Sequence, residues 1–220
     1  KRQVQIQRGL GSTSLAVPSA GGTVSVNTRA AEVDPGSGIK MSIGDNSYQK
    51  FTAFHNTGVN ELGWSSSFLL GFWQGDGWRN GMQGEGRTYA FSVGYTPRGS
   101  DHEFNFSLIG AGQWHHQSFY GTQLQDYLDY GPIQGDDYRK FNQLYGDYQG
   151  EEFSVLRNYY NKPLATFNWD WDISSNVTLA TSLYGSAGRG GGTGLRGRGS
   201  YGVTAFRESF ADYLADHGEW

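Results

Sequence analysis

The 220-residue chain contains no cysteine, which excludes a disulfide-stapled scaffold and any thiolate metal site and suits an oxidising envelope compartment. It also lacks a basic excess. Its 17 Lys and Arg against 21 Asp and Glu give a net charge of -4, so no positive field is available to hold nucleic acid. Long apolar runs are missing too. The longest, FLLGFW at 68–73, falls far short of the roughly 18–20 residues that a membrane helix needs. Lys1, Arg2 and Gln3 lead into a β-patterned segment rather than the apolar core of a secretion signal. Either a signal has been removed, or the chain starts inside a longer protein. No G-x-S-x-G, H-E-x-x-H or cysteine nucleophile is present, so an enzyme is not expected.

What the chain does have is 34 glycines and 15% aromatic residues against only 36% hydrophobic ones. That balance suits strands that are apolar on one face only, as in membrane barrels, where lipid-facing and lumen-facing residues alternate. Period-two alternation recurs between residues 39 and 184. Over 87–95, Tyr89, Phe91, Val93 and Tyr95 oppose Thr88, Ala90, Ser92 and Gly94. Over 103–109, Phe104, Phe106 and Leu108 oppose Glu103, Asn105 and Ser107. Over 164–173, Phe167, Trp169, Trp171 and Ile173 oppose Thr166, Asn168, Asp170 and Asp172. Over 176–185, Val177, Leu179 and Leu183 oppose Thr178, Ala180 and Ser182. Segments 39–43 and 63–73 alternate more weakly, and in 48–59 either face mixes apolar with polar residues.

Short links at 60–62, 96–101 and 174–175 alternate with long, Gly-rich, polar ones at 74–86, 117–162 and from 186 onward. Outer-membrane barrels are built this way, with tight periplasmic turns and long external loops. The very short link at 44–47 breaks the pattern. On this assignment Trp64, Tyr95 and Trp171 lie on the apolar face at the strand ends nearest short turns, where an interfacial aromatic girdle sits. Seven strands cannot close a single-chain bacterial barrel, so unpaired edges would remain.

The opening segments VQIQRG (4–9) and PSAGGTVSVNTR (18–29) resemble the C-terminal end of the plug of TonB-dependent receptors. In that family a strand ending in Arg-Gly precedes a Gly-Gly turn and a last alternating strand. Segments 102–117 and 158–194 resemble barrel segments of the same family. The resemblance implies an all-β fold: part of a 22-stranded transmembrane antiparallel barrel, preceded by the last plug strands. The expected organisation is plug end at 1–30, linker at 31–37, and barrel strands with external loops at 38–220. The implied role is a receptor of the bacterial outer membrane that takes up siderophore, haem, cobalamin, glycan or peptide. Its expected partners are membrane lipid, the rest of the same barrel, the TonB complex and the cargo, with a surface lipoprotein or other envelope subunits as further candidates. The TonB box, most of the plug and the remaining strands fall outside this sequence. The family's plug arginine corresponds to Arg8, which implies contact with acidic residues of the barrel wall, for which Glu103, Asp170 and Asp172 are the lumen-facing candidates.

Other features carry bland readings beside sharper ones. The G-x-G-x-x-G at Gly192, Gly194 and Gly197 is followed by no helix signal and reads as a flexible loop rather than a phosphate cradle. His115 and His116 are adjacent on a strand and point to opposite faces, so they do not chelate one metal. The 117–162 link is rich in tyrosine and aspartate. Tyr120, Tyr127, Tyr130, Asp136, Asp137 and Tyr138 are its candidate cargo contacts, with calcium as a candidate ion on the carboxylates. The alternative is that the tyrosines pack the loop on itself. Asp170 and Asp172 share a face, but a lumen position explains them without acid–base chemistry. A short helix is expected at 208–216. The rival to the receptor reading is a soluble or surface-anchored carbohydrate-binding β-sandwich, in which Tyr89, Phe91, Phe104, Phe106, Phe167 and Trp169 would form a protein core. A receptor relative serving as a structural envelope subunit is a third reading.

Overall fold

The computed structural model describes residues 4–7, 23–26, 29–118, 122–148, 150–194 and 218–219. Strands β1 (Val4–Gln7) and β2 (Thr23–Val26) pair antiparallel, with Val4 opposite Val26. Arg8, Tyr120 and the helix expected at 208–216 lie outside the described residues. A 3-10 turn at Ala30–Glu32 then leads into the sheet.

The sheet is an antiparallel meander of β3 (Gly36–Ile43), β4 (Gln49–Asn56), β5 (Trp64–Gly75), β6 (Gly84–Tyr95) and β7 (His102–His116). After an excursion, β11 (Leu164–Ser174) pairs with β7, and β12 (Val177–Ser186) pairs with β11. These are the seven strands that the alternation marks out. The chain is thus an all-β protein with little helix.

The excursion is not the structureless loop that its composition implies. It holds helix α1 (Leu124–Gln134), a 3-10 turn at Tyr138–Lys140, and strands β8 (Tyr145–Tyr148), β9 (Glu151–Ser154) and β10 (Arg157–Asn161). Strand β14 (Gly218–Glu219) pairs with β8. Two expected loop boundaries are corrected. Residues 157–161, placed in the long link, form β10, which pairs with the end of β7 above β11. Residues 189–192, placed in the last loop, form β13 (Arg189–Gly192), which pairs with β10. The ladder therefore continues past Lys162 and Pro163. Pro163 has no N–H to donate, and this accounts for the break between β10 and β11.

The short links are tied to each other. Asn60 Oδ1 accepts hydrogen bonds from the backbone N–H groups of Leu62 and Trp64, each at 2.9 Å, the local closure typical of Asn in turns. Gly63 has φ +84°, and a Cβ there would lie 2.0 Å from the Thr96 carbonyl oxygen. The turn therefore needs glycine both for its backbone angle and for close approach.

Burial on the sheet runs opposite to that of a water-soluble protein. Asn105 and Ser107 are 3% and 2% exposed, whereas Phe106 between them is 41% exposed. Ser65 and Ser92 are buried, while Trp64, Phe68, Leu70 and Phe91 are exposed. Phe167, Ile173, Leu179 and Leu183 continue the exposed face across β11 and β12. A soluble β-sandwich would have buried these side chains, each contributing about 1.5–3 kcal/mol. The fully buried apolar side chains lie elsewhere: Ala30 in the 3-10 turn, and Phe141, Leu144 and Val155 in the excursion.

Candidate functional site

At its short-turn end the polar face carries a pair of facing carboxylates. Glu103 on β7 and Asp170 on β11 are direct cross-strand partners, and two carboxylates so placed repel unless a cation stands between them. Arg29 supplies that cation. It occupies the N-cap position of the 3-10 turn, donates from Nη1 to Glu103 Oε1 at 3.2 Å, and pairs with Asp170. Burial opposes the guanidinium charge, but Asp170 and Glu103 outweigh it, so the Arg29 pKa is raised above its ordinary value.

One residue further on, the backbone N–H of Ala30 donates to Asn105 Oδ1 at 3.2 Å in a buried setting. Asn105 is held in place by Ser92, whose Oγ donates to the same oxygen at 3.1 Å, and by Ser107, whose Oγ accepts from Asn105 Nδ2 at 3.0 Å. Arg29 and Ala30, just before β3, are thereby fastened to the polar face of the sheet through one charge cluster and one neutral network.

Of the acids expected to face a plug arginine, Glu103 and Asp170 come together, but on Arg29. Asp172 does not join them. It is exposed and accepts from Thr178 Oγ1 at 2.7 Å on the next strand, because it stands one step nearer the turn, beyond the reach of the 3-10 segment. Sequence reasoning passed over Arg29. The available signal was its place at the end of the alternating 23–29 segment, on the approach to two facing carboxylates.

On the apolar face, Trp64, Tyr95 and Trp171 all lie at the short-turn end. Trp64 stacks on Tyr95 at 4.3 Å between ring centroids, Tyr95 stands opposite Phe104, and Trp171 stands opposite His102, 5.3 Å between rings.

At the other end, the excursion folds into a cap. Phe141 is its buried centre, with Tyr127 and Tyr130 packed around it at ring distances of 6.0 and 6.2 Å. These two tyrosines therefore serve the packing of the loop. Asp136 and Tyr138 are exposed, and Asp137 binds Arg139 through both carboxylate oxygens, which holds the Asp137 carboxyl below the usual range. Among the described residues, no three His, Asp or Glu side chains converge on a metal position.

The cap is fastened to the 76–83 loop. Buried Asn142 donates from Nδ2 to the Asn80 carbonyl at 2.9 Å, and its backbone N–H and C=O both bond Gln134. Gly81, at φ +64°, lies under the Tyr145 ring, where a Cβ would stand 1.9 Å from the nearest ring atom. Between loop and cap opens a cleft of about 550 Å³, lined by Asp76, Trp78, Arg79, Lys140, Tyr145 and Glu152 among others. Asn142→Ala is expected to loosen this joint by about 1–3 kcal/mol, the cost of leaving buried partners unsatisfied. Hydrogen exchange should then rise in 76–83 and 134–145 and stay unchanged in β5 to β7.

No protein-family model matches the sequence, and no curated protein is detectably similar to it. Among solved structures, the chain is similar to the ferric-catecholate import receptor Fiu from E. coli K12 in its open form. Sequence identity is 17% and the TM-score 0.62, over 85% of this chain and 28% of that one. The chain thus spans little more than a quarter of that receptor's length. At this identity the likeness is one of fold. It is a likeness to a transport receptor and not to an enzyme.

Proposed function

We propose that the chain is a segment of an outer-membrane, TonB-dependent receptor that imports a scarce nutrient. It comprises the end of a plug, the linker, and seven strands of a 22-stranded barrel. The observation that carries this reading is the inverted burial of the sheet, with Asn105 and Ser107 inside and Phe106 out. Such a sheet is stable only where the apolar face meets hydrocarbon and the polar face meets a hydrated, filled lumen. The β-sandwich alternative needs those aromatics in a dry core, whereas Phe91, Phe106 and Phe167 are exposed and Tyr89, Phe104 and Trp169 are half-buried. Arg29 fits a plug-end segment held to the wall by interactions that load can reverse. The capped cleft on the long-loop side is the candidate entry for cargo. A siderophore is the first cargo to test, because the structurally similar receptor imports ferric catecholate.

The membrane reading is tested with single-tryptophan variants of the full-length protein in vesicles of brominated lipid. A variant that keeps only Trp171 should be strongly quenched, and one that keeps only Trp78, in the cleft, should not. Equal quenching of the two would defeat the proposal.

A further inference from the structure

The register of the apolar face places its charged side chains at one end. Among the described strands, the side chains on this face carry no Asp, Glu, Lys or Arg from the His102–Trp171 level upward until β6 reaches Arg87 and Glu85. Arg87 stands opposite Gly112, and one strand further along the same rung Asn161 stands opposite Arg189. Tyr159 stands opposite Trp114, one rung higher, and Arg157 is opposite His116, one rung above that. The Arg157 guanidinium lies over the Trp114 ring, 4.4 Å from its centroid. All three arginines are exposed, and none forms an ion pair among the described residues. The Tyr159 ring lies over Gly191, and the Asn161 side chain lies beside Gly112. Among the described residues two carboxylates lie near this group, Glu85 on the same face opposite Trp114 and Glu152 of the cap, which acts on His116 beside Arg157. Three arginines against these two leave the patch net positive.

The height of this patch identifies what it meets. From the His102–Trp171 level to the Gly112 level is ten residues of β7. At about 3.3 Å per residue and a tilt of about 40°, that is roughly 25 Å along the membrane normal. This equals the height of the apolar band of an outer-membrane barrel, about 25 Å. The arginines therefore stand where the hydrocarbon ends on the long-loop side, at the level of lipid phosphates. At the short-turn boundary the described strands carry Trp64, Tyr95, His102, Trp171 and Leu179 on this face and no charged side chain, so the two boundaries differ in charge.

We infer that Arg87, Arg157 and Arg189 form a binding site on the barrel's outer wall for the phosphate groups of an anionic glycolipid of the outer leaflet. Trp114 and Tyr159, one rung beyond Arg87 and Arg189, lie at the level of the lipid's sugars. Guanidinium groups suit this task because each pairs two donors with phosphate oxygens and keeps its charge. The site rests on the membrane reading proposed above and adds to it a preference for one leaflet and one lipid class.

The test uses the full-length protein in nanodiscs of phosphatidylcholine, with and without diphosphoryl lipid A. Inorganic phosphate added to the neutral discs serves as the free-anion arm. Lipid A should raise the thermal midpoint of the wild type, and phosphate alone should not. In R87Q/R157Q/R189Q, apparent lipid A affinity should fall by about two orders of magnitude, since each cation at an anionic surface is worth about a factor of five. The triple lysine variant should retain most of the effect, and Arg98→Gln, in the short 96–101 link, should change nothing. Heat-modifiable gel mobility reports folding of each variant independently. A glutamine variant that keeps the wild-type lipid A response overturns the inference, as does a wild type that responds to phosphate alone or to neither. Failure of the protein to enter neutral discs would instead defeat the membrane reading itself.

Discussion

Replacing Arg29 by methionine is expected to release the segment between β2 and β3 and to destabilise the fold by about 2–4 kcal/mol. The substitution keeps the aliphatic stem and removes only the charge that separates Glu103 from Asp170. Breaking a buried ion pair from one side costs about 3–5 kcal/mol, because the remaining charge is left desolvated and unpaired. The Arg29, Asp170 and Glu103 side chains are 14%, 19% and 32% exposed, so water screens part of that cost.

A double-mutant cycle in urea separates loss of the cation from repulsion between the acids. In the wild type, Asp170→Asn should destabilise by removing one of the two partners of Arg29. In the Arg29→Met background the same change should be neutral or stabilising, since it removes one of two facing carboxylates. If Asp170→Asn costs the same in both backgrounds, Arg29 is not what reconciles the pair. Protease sensitivity at 30–36 should rise with Arg29→Met even where the strands stay folded, because Ala30 would then be held mainly by Asn105.

How far this arrangement could be read from the residues depends on how many physical constraints each segment carries. Strands β6, β7, β11 and β12 were legible because their two faces differ in chemistry, apolar on one side and polar on the other, which forces strict alternation. Strand β4 was ambiguous because Phe54 lies on the polar face. There it covers Gly38 of β3, where a Cβ would stand 2.6 Å from its ring. Strand β13 reads RGGG and has almost no strand propensity. It exists because β10 offers it a ladder, which is a tertiary cause that local sequence does not report. Helix α1 contains Gly131 and Pro132, both poor helix residues, so its local sequence carries a loop signal.

The two acids on the polar face, Glu103 and Asp170, were legible from their alternation. Their partner was not, because alternation fixes which face a side chain takes but not which distant segment docks on it. The resemblance pointed to Arg8, which lies outside the described residues; among the described residues it is Arg29 that pairs with Glu103 and Asp170. Asn105 shows the same limit. Its place on the polar face was evident, and its bond to the Ala30 backbone was not.

Phe106→Arg is expected to have the largest effect of any single change on the apolar face, although a solvent-exposed residue is ordinarily replaced within about 0.5 kcal/mol. Phe106 lies on β7 between the His102 and Gly112 levels, close to the middle of the band bounded by the girdle and the arginine patch. A guanidinium at a bilayer midplane costs about 2–4 kcal/mol on a barrel surface, falling to about 0–1 near the interfaces. The lost aromatic contact with lipid adds to that. The matched control is Leu124→Arg in α1, which is also exposed but lies in the cap, where water is the neighbour and the cost should be near zero. Unfolding of both variants by urea in lipid vesicles gives the comparison. Exposure alone predicts two small and similar effects, whereas a hydrocarbon-facing wall predicts a large one for Phe106→Arg only. In a soluble protein the polar substitution at Phe106 would instead be tolerated in both detergent-free buffer and vesicles, and that result would remove the reason for placing these strands in a membrane.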